Sequence, residues 1–360
     1  MNQAVDERKQ QVLERIESEL NERLPAPRKT LGRTYLAQCF RRVPVAELER
    51  EDPAIWAAMV VGQLDFLEQR APGEMLLRVF NPAADTDGWE SPHTLIELVN
   101  DDRPFLVDSA ALTLSELGVG IHLIIHPVVR VERNRKGRLQ EVLDKSAVDG
   151  VRESVIQLQI DRTTDPDALS RIEQSLVAAM RDVRAAVDDW KGMERSVADA
   201  VERMPDWAPG VKKEWMRECR AFLRWLLDDH FIFLGVRDYR VTGKGAKERL
   251  ERVAGSGLGI LRNDTRGEPA RSVASLAPAA RRLSQRRPLI ITKTNARSTV
   301  HRAGYLDYIG VLRIDEHGKT VGERRFLGLF TSTAYFENAM QTPMAVSYTH
   351  LTLPTSKPKC

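Results

Sequence analysis

The densest chemistry in the front half of the chain is Asp101-Asp102-Arg103-Pro104, where an apolar strand meets a predicted helix. Free backbone amides at such a corner can receive a carboxylate. The two aspartates would repel that anion but accept an α-amino group, so the group suits a zwitterionic amino acid. Asp101, Asp102 and Arg103 are therefore the candidate effector-binding residues. The competing reading is plain helix capping by Asp102. His122 and His126 lie four apart on a predicted strand and so share a face. No third ligand stands at a recognisable spacing, so no metal-binding residue is assigned.

Gly255-Ser256-Gly257-Leu258-Gly259 has the spacing GxGxG. A dinucleotide fingerprint needs GxGxxG between a strand and a helix, so a turn or bulge is the better reading. No GxxxxGK[ST] phosphate loop occurs. Asp228-Asp229-His230 holds the letters of a triad, but consecutive side chains diverge and cannot build one. A polar helix end fits better. Between Arg262 and Arg302 stand 10 basic residues against Asp264 and Glu268, a local +8 that leaves −5 for the rest of a chain whose total is +3. Arginine suits bidentate anion contacts, but the stretch lacks the aromatic platforms of single-strand binders.

These groups are positioned by four stretches. Residues 1–72 read as helical: Val12, Ile16, Leu20 and Leu24 form one apolar stripe, Pro25-Ala26-Pro27 breaks the chain, and Pro53 opens a second amphipathic run. Residues 73–190 change period. Strands are predicted at Met75 to Phe80, Thr94 to Val99, Ile121 to Val131 and Val151 to Ile160. A helix is predicted from Asp101 to Leu117 with Pro104 in its first turn, and a long one from Asp165 to Trp190. The order strand, helix, strand, strand, helix is most of a split βαβ, or ferredoxin-like, unit. Residues 191–230 form a helical connector. Residues 231–345 form a second α+β domain with an antiparallel sheet, in which His317-Gly318-Lys319 turns a hairpin. The fold class is α+β.

The chain has 360 residues, 42% of them hydrophobic and 29% charged, which suits two or three globular domains. No apolar run approaches the length of a membrane helix, and the first residues lack the apolar core of a signal peptide. Cys39, Cys219 and Cys360 form no CxxC pair or even framework, which points to a reducing cytoplasm. No membrane partner is expected. The near-even charge argues against a nucleic-acid binder.

Four strings in fixed order carry a family likeness: NDDRPFLVDSAALTLSELGVGIHLIIHPVVRV (100–131), FLRWLLDDHFIFLGVRDY (222–239), GSGLGILR (255–262) and KTNARSTVHRAGYLDYIGVLRIDEHGKTVGERRFLGLFTSTAY (293–335). Over about residues 30–336 the chain resembles the N-terminal, non-catalytic region of the large bacterial NAD-specific glutamate dehydrogenases. The resemblance implies an ACT-like regulatory domain over 73–190. It also implies a parent that oxidises L-glutamate to 2-oxoglutarate and ammonium with NAD, a catalytic domain downstream, and a homo-oligomer. The family's catalytic and NAD-binding motifs have no counterpart here, so no catalytic or cofactor-binding residue is expected and the chain by itself should be inactive. An amino-acid effector is a candidate partner, and an autonomous amino-acid-sensing module is the alternative. The segment VSYTHLTLPT within 346–360 resembles a translated sequencing adapter, so natural sequence is expected to end near Ala345.

Overall fold

In a computed structural model of the chain, the structure describes residues 2–243, 248–263 and 288–336. The tail 346–360 and most of the Arg-rich stretch lie outside the described residues. Two compact units meet in sequence between Met180 and Arg181.

The first unit opens with helices α1 (Asn2–Arg23), α2 (Lys29–Cys39), α3 (Val45–Leu48) and α4 (Pro53–Leu67). The proline pair at 25 and 27 leaves room only for a short turn between α1 and α2. Pro53 sits at the first position of α4, and the Asp52 carboxylate accepts the Ala54 N–H at 2.8 Å. The predicted stripe of Val12, Ile16, Leu20 and Leu24 is buried and shares one core with Trp56, Val60 and Leu64 of α4. Each such side chain contributes roughly 1.5–3 kcal/mol when fully withdrawn from water.

That core also takes in one face of a sheet. Its strands are β1 (Leu76–Phe80), β2 (Thr94–Asp101), β3 (Ile121–Ile125), β4 (Val128–Arg133), β5 (Leu139–Leu143) and β6 (Val151–Ile160). The order is β1-β2-β6-β4-β5, with β3 also paired to β6, and every pairing is antiparallel. Leu95, Val99, Val129, Val131 and Val155 face the N-terminal helices. Ile96, Leu98, Ile156 and Leu158 alternate to the opposite face and are equally buried. Helices α5 (Leu106–Glu116) and α6 (Pro166–Asp188) bury Leu106, Ala110, Leu114, Ile172 and Leu176, none of which joins the first core. That second sheet face is the remaining apolar surface for them to cover.

Two local features differ from expectation. The strand predicted over 121–131 is two strands, β3 on the Gln157–Ile160 end of β6 and β4 on the Val151–Ser154 end. Pro127 has no N–H to give the ladder, though its carbonyl still accepts from Val155 N at 3.0 Å. The helix predicted from Asp101 starts only at Leu106, because Phe105 turns left-handed at φ 71° and no side chain caps the start. Pro104 therefore lies in the connecting turn, and Asp102 is not a cap.

In the second unit, α7 (Trp190–Trp207) and α8 (Lys213–Trp225) pack on a sheet ordered β10-β11-β12-β7-β8. Its strands are β7 (Phe231–Thr242), β8 (Arg249–Arg252), β9 (Leu258–Gly259), β10 (Leu289–Arg297), β11 (Tyr305–Ile314) and β12 (Thr320–Phe330), and β9 lies against β7. A short helix, α9 (Ser332–Phe336), follows. The hairpin turn expected at His317–Lys319 is present. Gly318 is left-handed at φ 77°, and Asp315 N–H meets the Lys319 carbonyl at 2.9 Å. Both units are α+β with antiparallel sheets.

Candidate functional site

The corner built by Asp101, Asp102 and Arg103 stands at the end of β2, and its carboxylates already hold guanidinium partners. Arg70 Nη2 is 2.6 Å from Asp101 Oδ1, and Arg103 Nη2 is 3.5 Å from Asp101 Oδ2. Burial pulls the Asp101 carboxyl upward, but Arg70 and Arg103 outweigh it and hold the group below its ordinary range. Asp102 Oδ2 meets Arg152 Nη2 at 2.6 Å, and its N–H donates to the Arg152 carbonyl at 3.1 Å. Arg70 continues inward to Glu153, which Arg133 also grips through both carboxylate oxygens at 2.7 and 2.8 Å. The corner is thus the outer end of a charged network reaching into the sheet.

Around Arg152 that network opens onto a cavity of about 360 Å³, bounded by the segment after α2, the β3–β4 break and the loop after β5. Its charged walls are Arg41, Arg42, Arg130, Lys145 and Arg152, and among the described residues no aspartate or glutamate lines it. The register of β4 on β6 sets Arg130 directly opposite Arg152, a like-charge pairing that weakens a ladder. Arg130 Nη1 is turned to the Val148 carbonyl at 3.1 Å, and Arg152 to Asp102. Arg41, Arg42 and Lys145 are exposed, and their side chains make no hydrogen bond or ion pair within the described residues. His126 stands at the break with its Nε2 2.7 Å from Ser154 Oγ. Burial pushes its imidazole below the usual range, Asp102 opposes this and Arg42 adds to it.

The two histidines that the spacing placed on one face are separated by the break between β3 and β4. His122 Nε2 pairs with Asp161 at 2.7 Å and its ring stacks on His93 at 4.4 Å. No metal-ligating group of three or more His, Cys, Asp or Glu exists among the described residues. The Gly255–Gly259 run is a turn and bulge against β7. Gly255 and Gly259 are left-handed, and Gly259 N–H donates to Asp189 Oδ2 at 2.8 Å, with Arg262 Nε on the same oxygen. Asp228-Asp229-His230 forms the helix end before β7, with His230 Nδ1 2.7 Å from the Trp225 carbonyl and its ring stacked on Trp225 at 4.3 Å.

The cavity went unread in the sequence because its cations come from five separate positions between 41 and 152. The one local signal is the adjacent pair Arg41-Arg42 just after α2. The facing of Arg130 and Arg152 exists only once the register of β4 and β6 is known.

Residues 35–176 match the glutamate dehydrogenase ACT1 domain family. That span runs from α2 into α6 and contains both the Asp101–Arg103 corner and the lining of the cavity. The match falls within the first unit. Over 95% of its length the chain is 34% identical to the NAD-specific glutamate dehydrogenase of Halomonas elongata, of which it covers 21%. It is 31% identical over 86% of its length to the Pseudomonas aeruginosa enzyme of that name, covering 19%, and 25% identical over 76% to that of Mycobacterium tuberculosis, covering 16%. The chain matches the N-terminal region of NAD-specific glutamate dehydrogenases and spans about a fifth of the length of these relatives.

Proposed function

We propose that this chain is the regulatory and scaffolding N-terminal part of an NAD-dependent glutamate dehydrogenase, working in the cytoplasm. In this reading the catalytic domain belongs to another part of the same polypeptide and the parent assembles as a homo-oligomer. The observation that carries it is the coincidence of the ACT1 match with a β2-α5-β3/β4-β5-β6-α6 order, in which β5 is an added edge strand beside β4. There β6 lies between β2 and the broken strand, as in a ferredoxin-like unit. The strand neighbouring β2 on its outer side is β1, which comes from upstream rather than from after α6.

An effector acts only by binding two conformations unequally. At Asp101, Asp102 and Arg103 an amino acid would exchange one guanidinium partner for its own α-amino group. The purified chain, given L-glutamate and NAD, is expected to form no NADH; turnover above the blank would overturn the regulatory reading. The second reading is an autonomous amino-acid sensor. Saturable calorimetric binding of an amino acid that is lost in Asp102→Asn, with no companion dehydrogenase polypeptide in the source genome's continued reading frame, would favour it.

A further inference from the structure

We propose that the cavity beside the β3–β4 break binds a small polyanion, a molecule bearing at least two negative charges as carboxylates or phosphate. This goes beyond the regulatory reading and does not depend on it.

Charge carries the inference. Five cationic side chains line one concave surface with no carboxylate among the described lining residues, and Asp102 outside that lining pairs with Arg152. A single carboxylate would therefore leave most of the positive charge unmatched, whereas two or more anionic groups would meet Arg41, Arg42 and Lys145 together. Register adds to this. An antiparallel ladder that sets Arg130 against Arg152 carries a repulsion that an anion seated between them removes. Arginine forks also suit carboxylate and phosphate oxygens in bidentate geometry.

Shape and the remaining polar group agree. The volume of about 360 Å³ falls in the range that holds small ligands rather than peptides or nucleic acids. Ile124, Ile125, Pro127 and Val128 supply an apolar wall, as a carbon skeleton between two anionic ends would need. The break itself makes the opening, since Pro127 interrupts the strand where His126 and Arg130 turn toward it. His126, whose Nε2 shares a hydrogen bond with Ser154, adds a polar ring to the same lining.

The test is calorimetry and thermal melting of the full chain with pyrophosphate, glutarate and acetate at matched ionic strength. Pyrophosphate, glutarate or both are expected to bind saturably, and which of them does so assigns the phosphate or the dicarboxylate source; acetate is expected to show no saturable binding. Arg42→Gln and Lys145→Gln are each expected to weaken binding about tenfold, the loss of one charge-assisted contact. Both variants should melt, without ligand, at or above the temperature of the unaltered chain, because each relieves repulsion. Arg217→Gln on α8 should change nothing. No saturable binding of either probe, equal effects of acetate, or unchanged affinity in both cavity variants would overturn the proposal.

Discussion

Arg70 Nη1 lies 2.8 Å from Glu153 Oε1, with the two side chains 2% and 0% exposed. Glu153 cannot reach water, so its charge is tolerated only because Arg70 and Arg133 both face it. Removing that charge takes away the carboxylate that Arg133 faces and leaves Arg70 with Asp101 alone. Glu153→Gln is therefore expected to cost about 3–5 kcal/mol of unfolding free energy, the range for breaking a buried pair. Urea unfolding followed by circular dichroism checks this. An unchanged midpoint for the first unit would mean the pair is not needed.

Gly137 serves the same network through its backbone. Its carbonyl accepts the Arg70 N–H at 3.0 Å and Arg133 Nη1 at 2.9 Å, and its φ is 83°. A Cβ there would press into the Arg70 carbonyl. Left-handed backbone alone costs an L-residue roughly 1–2 kcal/mol, and the clash adds to it. Gly137→Ala should lower the melting temperature by several degrees, since about 1 kcal/mol moves a domain this size by a few degrees. Gly210→Ala, which meets nothing within 4 Å, is the neutral control.

Much of the scaffold could be read from residue order. The stripe Val12, Ile16, Leu20 and Leu24 needed only helical periodicity, and Pro53 and Gly318 announced themselves locally. What stayed hidden depends on distant partners. Nothing near Arg70 marks it as buried, because Glu153 lies 83 positions away. The β3–β4 break turned on Pro127 inside an otherwise apolar run. The late start of α5 turned on Phe105 adopting a backbone angle that its side chain gives no reason to expect. Short strands such as Leu139–Leu143 and Arg249–Arg252 carry too few residues for alternation to declare them. The resemblance quoted strings from both units, yet four of the cavity's five cations fall outside those strings.

The thiols give a test of packing. Cys39 is buried beside Tyr35 and Gln63, and burial pushes its thiol up to about 12. Cys219 is buried in the core between α8 and the second sheet. In a Cys360→Ser variant, a disulfide reagent at neutral pH should therefore find almost no reactive thiol in the folded chain and two after denaturation, because only the accessible thiolate attacks. Rapid labelling of Cys39 in the native state would mean that the α2–α4 packing opens readily.

His126 sets a pH dependence whose sign follows from its burial. The folded imidazole titrates below the unfolded value of about 6.5, since burial lowers it, Asp102 opposes only partly, and Arg42 reinforces the shift. Between the two values the unfolded chain binds a proton that the folded chain refuses. Stability of the first unit is thus full above about pH 6.5 and falls as the pH drops toward the folded value. His93, lowered by burial and by His122, acts in the same direction, so the two must be separated. Melting from pH 8 to pH 5 should show a downward slope that His126→Gln reduces and His126→Gln with His93→Gln reduces further. Proton NMR should place the His126 titration below that of a free imidazole, and a saturating polyanion in the cavity should move it upward. A slope unaltered by both substitutions would show that neither histidine is held neutral by the fold.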